Sequence, residues 1–481
     1  MTDAPARTIP ARAAPARTAA TRIAPTRTER DPLGPVEVPA DRLHGAQTER
    51  ARRNFPLTGV TVGQMPELIV ALAQVKQAAA LVNRRIGDLP EDIADAVIAA
   101  CEELVAGRHH DHFPVDACQG GAGTSTNMNA NEVIANRADE LLGHPRGSGA
   151  VSANDHVNRN QSTNDAYASA VRLAVHALNG RLCAALEGLA TAMDGRAEAF
   201  AGIAKLGRTQ LQDAVPMTLG QEFAAFATTL REDVARSNEM ARLMLEVNLG
   251  GTAIGTGIAA SAGYREAICA ELAAVTGLAV VPAANLIEAT WDMGAFVLYA
   301  GMLKRVAAKL SKIANDLRLL SSGPAGGIGE IRLPARQPGS SLMPGKVNPV
   351  IPEAANAAAF RVYGLDLTVA MAAQGGQLQL NAFEPVIFWS IHEAVHLLAN
   401  AMDMLARECV AGIEADETRA RENLARSTAL ATALVPLIGY GRAAAVARRA
   451  QQSGSLAEAV LALEPACAPA LSPLLPGLAT P

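Results

Sequence analysis

The chain has 481 residues, of which 49% are hydrophobic and only 3% aromatic, and its formal net charge is −5. This length exceeds that of one ordinary compact core, so we expect two or three domains or one elongated assembly. An apolar content made mainly of Ala, Leu and Val favours an all-α protein of long packed helices over a β-sandwich. The negative net charge argues against a nucleic-acid partner.

The cysteines and the hydropathy pattern indicate a soluble, cytoplasmic protein. The six cysteines include no CxxC pair, which argues against a zinc ribbon or a disulfide framework and favours a reducing cytosol. No apolar run reaches the ~20 residues that span a bilayer, so we expect no membrane association.

The chain opens with a tail of biased composition, residues 1–28, rich in Ala, Arg, Pro and Thr. Arginine recurs every five residues in this tail, up to Arg27. Such a segment cannot bury enough apolar surface to offset its ordering entropy, so we predict disorder. A transit peptide is the alternative, although the segment lacks a clear amphipathic face. Residues 29–158 mix short helical patterns with turn formers and predict an α-rich N-terminal domain.

Residues 159–411 are predicted to form a central domain of long helices. Apolar residues step by threes and fours over residues 171–193, 219–234 and 296–320, as in helices of a nearly parallel bundle. Helices of this length are too long for one compact chain to cover on every side, so we expect subunits to share one bundle. An intramolecular coiled-coil hairpin is the alternative. Residues 412–481 predict a small helical C-terminal domain.

The segment 339–349, with the sequence Gly-Ser-Ser-Leu-Met-Pro-Gly-Lys-Val-Asn-Pro, is a polar interruption of this apolar background. Its glycines and Pro344 prevent a continuous helix, so we predict an exposed, mobile loop. The loop carries two hydroxyls, one ammonium and one carboxamide. These groups suit the binding of a small dicarboxylate, while one hydroxyl, if ionised, removes a proton.

Three further polar segments, residues 120–129, 160–165 and 207–213, can supply donors to an anion. Glycines in the first let backbone N–H groups approach an anion, but no lysine follows at the spacing of a nucleotide-binding P-loop. The second is placed like a helix N-terminus, whose dipole attracts carboxylates, with plain capping as the alternative. The third precedes the second long helix, which we expect to begin near Pro216.

In residues and in order, these four segments resemble the signature segments of the aspartase/fumarase superfamily. The likeness runs over residues 29–407 and continues more weakly into the tail. Within the superfamily, segments 110–116, 207–216 and 377–387 are most similar to the aspartases. Fumarases usually have His where Gln210 stands, which favours ammonia as the leaving group.

The resemblance implies a three-domain, all-α fold whose central long-helix bundle is shared in a homotetramer, with sites built from three subunits. It implies the reversible anti elimination of ammonia from L-aspartate to give fumarate, without a metal or other cofactor. Ser340 matches the general base that takes the proton beside the β-carboxylate, which then becomes an enediolate.

The resemblance also implies the substrate-binding residues. Those matched to the β-carboxylate are Thr124, Ser162, Thr163 and Ser341. Those matched to the α-carboxylate are Thr209, Lys346 and Asn348. Those matched to the leaving ammonium are Asn164 with Thr124 or Gln210.

Three other functions stay open. A fumarate hydratase would differ in the leaving group, and Gln210 argues against it. A lyase acting on a substituted aspartate is compatible with the sequence, because sequence does not determine pocket volume. A catalytically silent structural protein of this fold is the third, and the intact Ser340 and Lys346 argue against it.

Overall fold

The computed structural model describes residues 25–471, and most of these residues are helical. The α-helices are α1 (Ala46–Asn54), α2 (Pro66–Arg85), α3 (Glu91–Val105), α4 (Thr124–Leu141), α5 (Thr163–Ala199), α6 (Leu219–Arg242), α7 (Tyr264–Thr276), α8 (Gly294–Leu320), α9 (Val350–Gln374), α10 (Glu384–Glu408), α11 (Glu417–Arg426), α12 (Val435–Ile438), α13 (Tyr440–Ser453), α14 (Leu456–Leu463) and α15 (Ala468–Leu471). The all-α class predicted from composition is confirmed.

The strands of the described residues are short and pair only two at a time. They are β1 (Thr26–Asp31), β2 (Gly34–Pro39), β3 (Ala204–Thr209), β4 (Gln212–Thr218), β5 (Glu246–Val247), β6 (Val281–Pro282), β7 (Ile331–Arg332) and β8 (Glu414–Ala415). The pairs β1–β2, β3–β4 and β7–β8 are antiparallel, and β5–β6 is parallel. These pairs form no layer of their own within the described residues.

Disorder was predicted for the tail of residues 1–28. Residues 1–24 of this tail lie outside the described residues, whereas residues 25–28 are described. Residues 26–28 belong to β1, which pairs with β2 along its whole length. The Arg27 guanidinium holds this hairpin by donating to the carbonyl oxygens of Pro39 at 2.9 Å and His44 at 2.7 Å. The folded part of the chain therefore begins before residue 28, because Arg27 is a structural donor of the hairpin.

The long apolar stripes are confirmed as the buried faces of α5, α6 and α8. Every apolar position of the first and third stripes is buried, while Val234 on α6 is half-buried against the same core. Helix α5 begins with a capping box, as its N-cap-like sequence predicts. The Ser162 hydroxyl accepts from the backbone of Asn164 at 3.2 Å, and Asp165 accepts from the backbone of Ser162 at 2.9 Å.

The predicted start of the second long helix at Pro216 is wrong. Pro216 lies in β4, opposite Leu206 of β3, and α6 begins at Leu219. Thr218 caps α6, because its hydroxyl accepts from the backbone of Gln221 at 3.1 Å. The proline is tolerated because a strand of an isolated two-stranded pair has one unpaired edge.

Helices α5 and α6 form an antiparallel hairpin. Asn179, in the first half of α5, donates to Asn238, near the end of α6, at 2.8 Å. Further along α5, Glu187 accepts from Arg231, earlier in α6, at 2.9 Å. The partner numbers therefore fall along α6 as they rise along α5.

Helix α8 runs parallel to α5. The Arg172 guanidinium lies 5.2 Å from the centre of the Phe296 ring, and Tyr299 donates its hydroxyl to Asn179 at 3.1 Å. Both helices therefore begin at one end of the bundle, which we call the Thr163 end. They finish at the opposite end, the Ala199 end.

One apolar core runs through both the N-terminal and the central segments, and a second core lies under the C-terminal helices. The first extends from Leu43 to Ile413. The second is formed by residues of α11, α13 and α14, by apolar residues of the segment 429–434 and by Cys467 and Ala468, and it takes Leu206 from the β3–β4 hairpin. The domain boundaries at residues 158 and 411 stay predictions. Within residues 25–471, no helix combines the length and apolar character needed to cross a membrane.

Candidate active site

The loop of residues 339–349 is closed at its base by its own polar groups. The backbone N–H of Gly339 donates to the Lys346 carbonyl at 2.7 Å, and the Asn348 side chain donates to the Gly339 carbonyl at 2.7 Å. A side chain at position 339 would bring a Cβ within 2.6 Å of the Lys346 carbonyl oxygen, so this crossing requires glycine. The rest of the loop projects from the chain, as predicted, with Leu342 85% exposed.

Ser340 sits directly after this crossing, and its hydroxyl oxygen accepts two backbone hydrogen bonds. The N–H of Leu342 lies 3.1 Å away and the N–H of Met343 lies 2.9 Å away. Donors aimed at a hydroxyl oxygen stabilise its ionised form, which lowers the cost of losing the proton. Ser341 and Lys346, on the same loop, are both exposed.

Thr124 and Thr163 stand at two helix N-termini that lie side by side. Thr124 is the first residue of α4 and Thr163 the first residue of α5. Asn127, one turn into α4, donates to the Thr163 hydroxyl at 3.2 Å, which ties the two starts together. Two helix dipoles therefore present their positive ends, with hydroxyls, to the same region at the Thr163 end.

Asn164 is held from both sides by the segment that follows α6. Its amide nitrogen donates to the Ala253 carbonyl at 2.8 Å, and Asn248 donates to its backbone carbonyl at 2.9 Å. The glycine-rich stretch around Ala253 also donates to Asp165, through the backbone N–H groups of Gly250 at 3.1 Å and Thr252 at 2.9 Å. Both N–H groups therefore bind the buried Asp165 carboxylate.

Thr209 and Gln210 lie at the tip of the β3–β4 hairpin. Gln210 and Leu211 form its two-residue turn with φ of 52° and 62°, and both are exposed. The hairpin is anchored by Arg208, which donates at 2.7 Å to Glu330, a fully buried carboxylate next to β7.

The ten residues predicted to form the site fall into two groups at opposite ends of the bundle. Thr124 and residues 162–164 lie at the Thr163 end. The β3–β4 hairpin follows the end of α5 and so lies at the Ala199 end. The 339–349 loop lies at this end too, because it immediately precedes α9. Glu353, in the first turn of α9, lies 3.4 Å from Arg318 near the end of α8. Since α5 has 37 residues, the two ends are ~55 Å apart. A single chain does not bring these groups together.

A buried cation under the Thr163 end was not found from the sequence. Lys76 of α2 is fully buried and donates to Asn158 at 3.0 Å and to Gln161 at 2.9 Å. Asn158 also accepts from Asn127, the residue that contacts Thr163. Burial lowers the pKa of Lys76 from 10.5 to about 7. The signal available in the sequence was a lysine among the apolar residues of the stretch that forms α2.

Comparison with known proteins gives concordant matches over most of the chain. Residues 34–364 match the model of the Lyase family. An aspartate ammonia-lyase of Pseudomonas aeruginosa is 58% identical over 428 residues, which cover 89% of this chain and 90% of that protein.

Two solved structures show the same fold. A fumarate lyase:delta crystallin from Brucella melitensis bound to cobalt is 54% identical with a TM-score of 0.90, covering 95% of this chain and 100% of that one. A class II fumarase from Schistosoma mansoni is 34% identical with a TM-score of 0.85, covering 91% of this chain and 95% of that one. With its signature segments, its helical bundle and these matches, the chain belongs to the lyase family of the aspartase/fumarase superfamily.

Proposed function

We propose that this protein is an aspartate ammonia-lyase, which eliminates ammonia from L-aspartate to give fumarate. The observation that carries the proposal is 58% identity over nine-tenths of an aspartate ammonia-lyase. Gln210 at the tip of the β3–β4 hairpin agrees with it, because an amide can hydrogen-bond a leaving amine without acting as an acid.

Ser340 is the proposed general base. It removes the proton from the carbon beside the β-carboxylate, and the electron pair moves into that carboxylate as an enediolate. A neutral serine is too weak a base for this step, so its alkoxide must be stabilised before the substrate arrives. The N–H groups of Leu342 and Met343 supply donors to that oxygen.

The β-carboxylate is proposed to bind at the paired helix N-termini, where negative charge develops. The hydroxyl oxygens of Ser162 and Thr163 already accept hydrogen bonds from within the protein. Each hydroxyl therefore keeps its own hydrogen to donate to the substrate. Thr124 and Ser341 add two more hydroxyl donors, and donors aimed at a developing enediolate contribute most to rate.

The α-carboxylate is proposed to bind Lys346, Asn348 and Thr209. Asn348 uses one amide hydrogen on the Gly339 carbonyl and keeps the other. Asn164 likewise uses its amide nitrogen on the Ala253 carbonyl. Its side-chain oxygen is then the group proposed to accept a hydrogen bond from the leaving ammonium.

A homotetramer is proposed, because the site is complete only when opposite bundle ends of different copies meet. Helix α9 supports this assembly with a row of exposed apolar residues at helical spacing. Phe360 is 65% exposed, Leu367 60% and Met371 59%, with Tyr363 between them on the same face. Apolar rows of this size on a helix mark a subunit interface.

The test is to incubate the purified protein separately with L-aspartate and L-malate while recording fumarate and ammonia. Fumarate with equimolar ammonia from aspartate alone is expected. Fumarate from malate alone would make the protein a fumarate hydratase and would show that Gln210 does not decide the leaving group. Inactivity on both would reject the proposal, and N-substituted aspartates would then be assayed.

A further inference from the structure

Helices α2 and α10 bring together three side chains that could hold a metal ion, outside the candidate active site. His392 and His396 lie one turn apart on α10, so both rings project from the same face. Glu67, in the first turn of α2, faces them. One ligand atom from each of the three lies within 4.8 Å of the others.

The separations of these atoms are close to those around a bound ion. His392 Nε2 lies 3.7 Å from one Glu67 oxygen, and His396 Nε2 lies 4.0 Å from the other. Two ligands of a tetrahedral zinc ion, each at about 2.0–2.1 Å from the metal, lie about 3.3–3.4 Å apart. The ligand atoms lie within 4.8 Å of one another, so side-chain adjustments of at most about 1.4 Å would bring all three to these separations.

Two of the atoms are buried without a hydrogen-bond partner. Glu67 Oε2 and His392 Nε2 are both removed from solvent and unsatisfied. Burying a polar atom without a partner is unfavourable, and a metal ion would satisfy both atoms at once.

The charged groups around the cluster leave it free to take a cation. Arg181 of α5, which faces His396, is neutralised by Asp403 and also donates to Asn400 at 3.2 Å. Arg361 of α9 is paired with Glu393, because its Nε and Nη2 each donate to one oxygen of that carboxylate.

We infer that Glu67, His392 and His396 bind one divalent transition-metal ion of the zinc class, with water as the fourth ligand. Two imidazoles and one carboxylate suit Zn²⁺ or Co²⁺, whereas Mg²⁺ and Ca²⁺ prefer oxygen ligands alone. The ion would clamp the start of α2 to the middle of α10.

The site is structural and separate from the proposed elimination chemistry. Arg181, which faces it, lies 18 residues beyond Thr163 on α5, or roughly 27 Å along the helix. The sequence His-Glu-Ala-Val-His at 392–396 matches the HExxH pattern of zinc hydrolases, in which the glutamate is the general base. Here Arg361 holds both oxygens of Glu393, so that residue is not available to activate a water molecule.

The test uses the full-length protein without an affinity tag, stripped of metal with a chelator and dialysed. CoCl₂ is titrated while visible d–d absorption is recorded, and ZnCl₂ is titrated by calorimetry. One ion per chain is expected, with no displacement by excess MgCl₂. His396→Gln should weaken binding by about a hundredfold, since it removes one of only three protein ligands. His144→Gln, at an exposed histidine elsewhere, is the matched control and should bind as the wild type does.

Thermal unfolding gives a second readout that does not depend on enzymatic activity. ZnCl₂ should raise the Tm of the wild type and of His144→Gln but not that of His396→Gln. The His396 side chain is 38% exposed, so its metal-free variant should melt as the metal-free wild type does. The inference is overturned if the wild type takes up no stoichiometric Co²⁺ or Zn²⁺, or if His396→Gln binds either ion as tightly as the wild type.

Discussion

At the scale of single residues, the proposed chemistry depends on a serine whose surroundings are made by the backbone. Ser340 Oγ receives the N–H groups of residues two and three positions later in its own loop. These donors come with the loop conformation and need no other side chain. The conformation in turn depends on Gly339, where any larger residue would meet the Lys346 carbonyl.

We predict that Ser340→Ala lowers the rate of fumarate formation by about a thousandfold, because general-base catalysis contributes about 10²–10⁴. The variant should bind L-aspartate with nearly unchanged affinity, since the carboxylate donors remain. The measurement is steady-state kinetics together with substrate binding by calorimetry. Turnover near that of the wild type would remove Ser340 as the base.

Lys76 is the second residue whose environment matters, because a lysine buried without a carboxylate partner in hydrogen-bonding contact titrates abnormally. Its pKa falls to about 7 through burial, while Asn158 and Gln161 satisfy its ammonium. Asn158 also accepts from Asn127, whose amide in turn donates to the Thr163 hydroxyl.

Comparison with Lys76→Met should reveal this titration in the free energy of unfolding. Between pH of about 7 and 10.5 the unfolded chain binds more protons at this position than the folded one, so wild-type stability rises with pH. The destabilising contribution is complete below about pH 7 and disappears above 10.5. Denaturant unfolding at fixed protein concentration should show a wild-type slope up to about 1.4 kcal/mol per pH unit relative to Lys76→Met. Parallel pH profiles of the two proteins would contradict the assignment.

At the scale of elements, the approach of α4 to α5 depends on the glycine that precedes α4. Gly123 has a φ of 83°, and a Cβ there would lie 2.4 Å from the ring of Tyr167 on α5. The glycine therefore lets the first residue of α4 come beside the first residue of α5. The glycines of this segment were recognised in the sequence, but their neighbour was not, because Tyr167 is a tertiary contact.

Gly123→Ala and Gly121→Ala form a matched pair that separates backbone strain at positive φ from the clash with Tyr167. Both positions have positive φ, but a Cβ at Gly121 would meet nothing within 4 Å. Gly121→Ala should cost about 1–2 kcal/mol from backbone strain alone. Gly123→Ala should cost about 1–3 kcal/mol more, from the clash with Tyr167, and should also raise KM for aspartate. Chemical unfolding and kinetics measure both, and equal losses in the two variants would show that Tyr167 does not set the helix position.

At the scale of the whole molecule, the parallel course of α5 and α8 separates the proposed catalytic loop from the proposed carboxylate donors. The 339–349 loop and the β3–β4 hairpin lie at the Ala199 end, and residues 162–164 lie at the Thr163 end. An assembly in which opposite ends of different copies meet would complete several equivalent sites at once.

This arrangement predicts complementation between inactive variants. Ser340→Ala and Thr163→Val alter opposite ends of the bundle, so a mixed tetramer contains some sites that carry neither change. Co-refolding equal amounts of the two variants should restore about a quarter of wild-type activity, if each site takes the two residues from different subunits.

The matched control mixes Ser340→Ala with Lys346→Met, two changes on the same loop. Every site then receives one altered loop whichever subunit supplies it, so no activity should return. No restoration with Thr163→Val would show that Ser340 and Thr163 do not come from different subunits. Restoration in the control would show that the returned activity does not arise from sites shared between subunits.

The sequence by itself determined the helical class, the buried stripes of α5 and α8, the cap at Ser162 and the polar segments of the candidate site. These features depend on residues close together along the chain, through helical periodicity and capping. The tertiary structure alone decided which segments meet. It made a hairpin of the stretch around Pro216, placed Ser340 and Thr163 at opposite ends, and brought Glu67 to α10. Contacts between distant segments depend on the directions in which the helices pack. The spacing of residues along the sequence does not determine those directions.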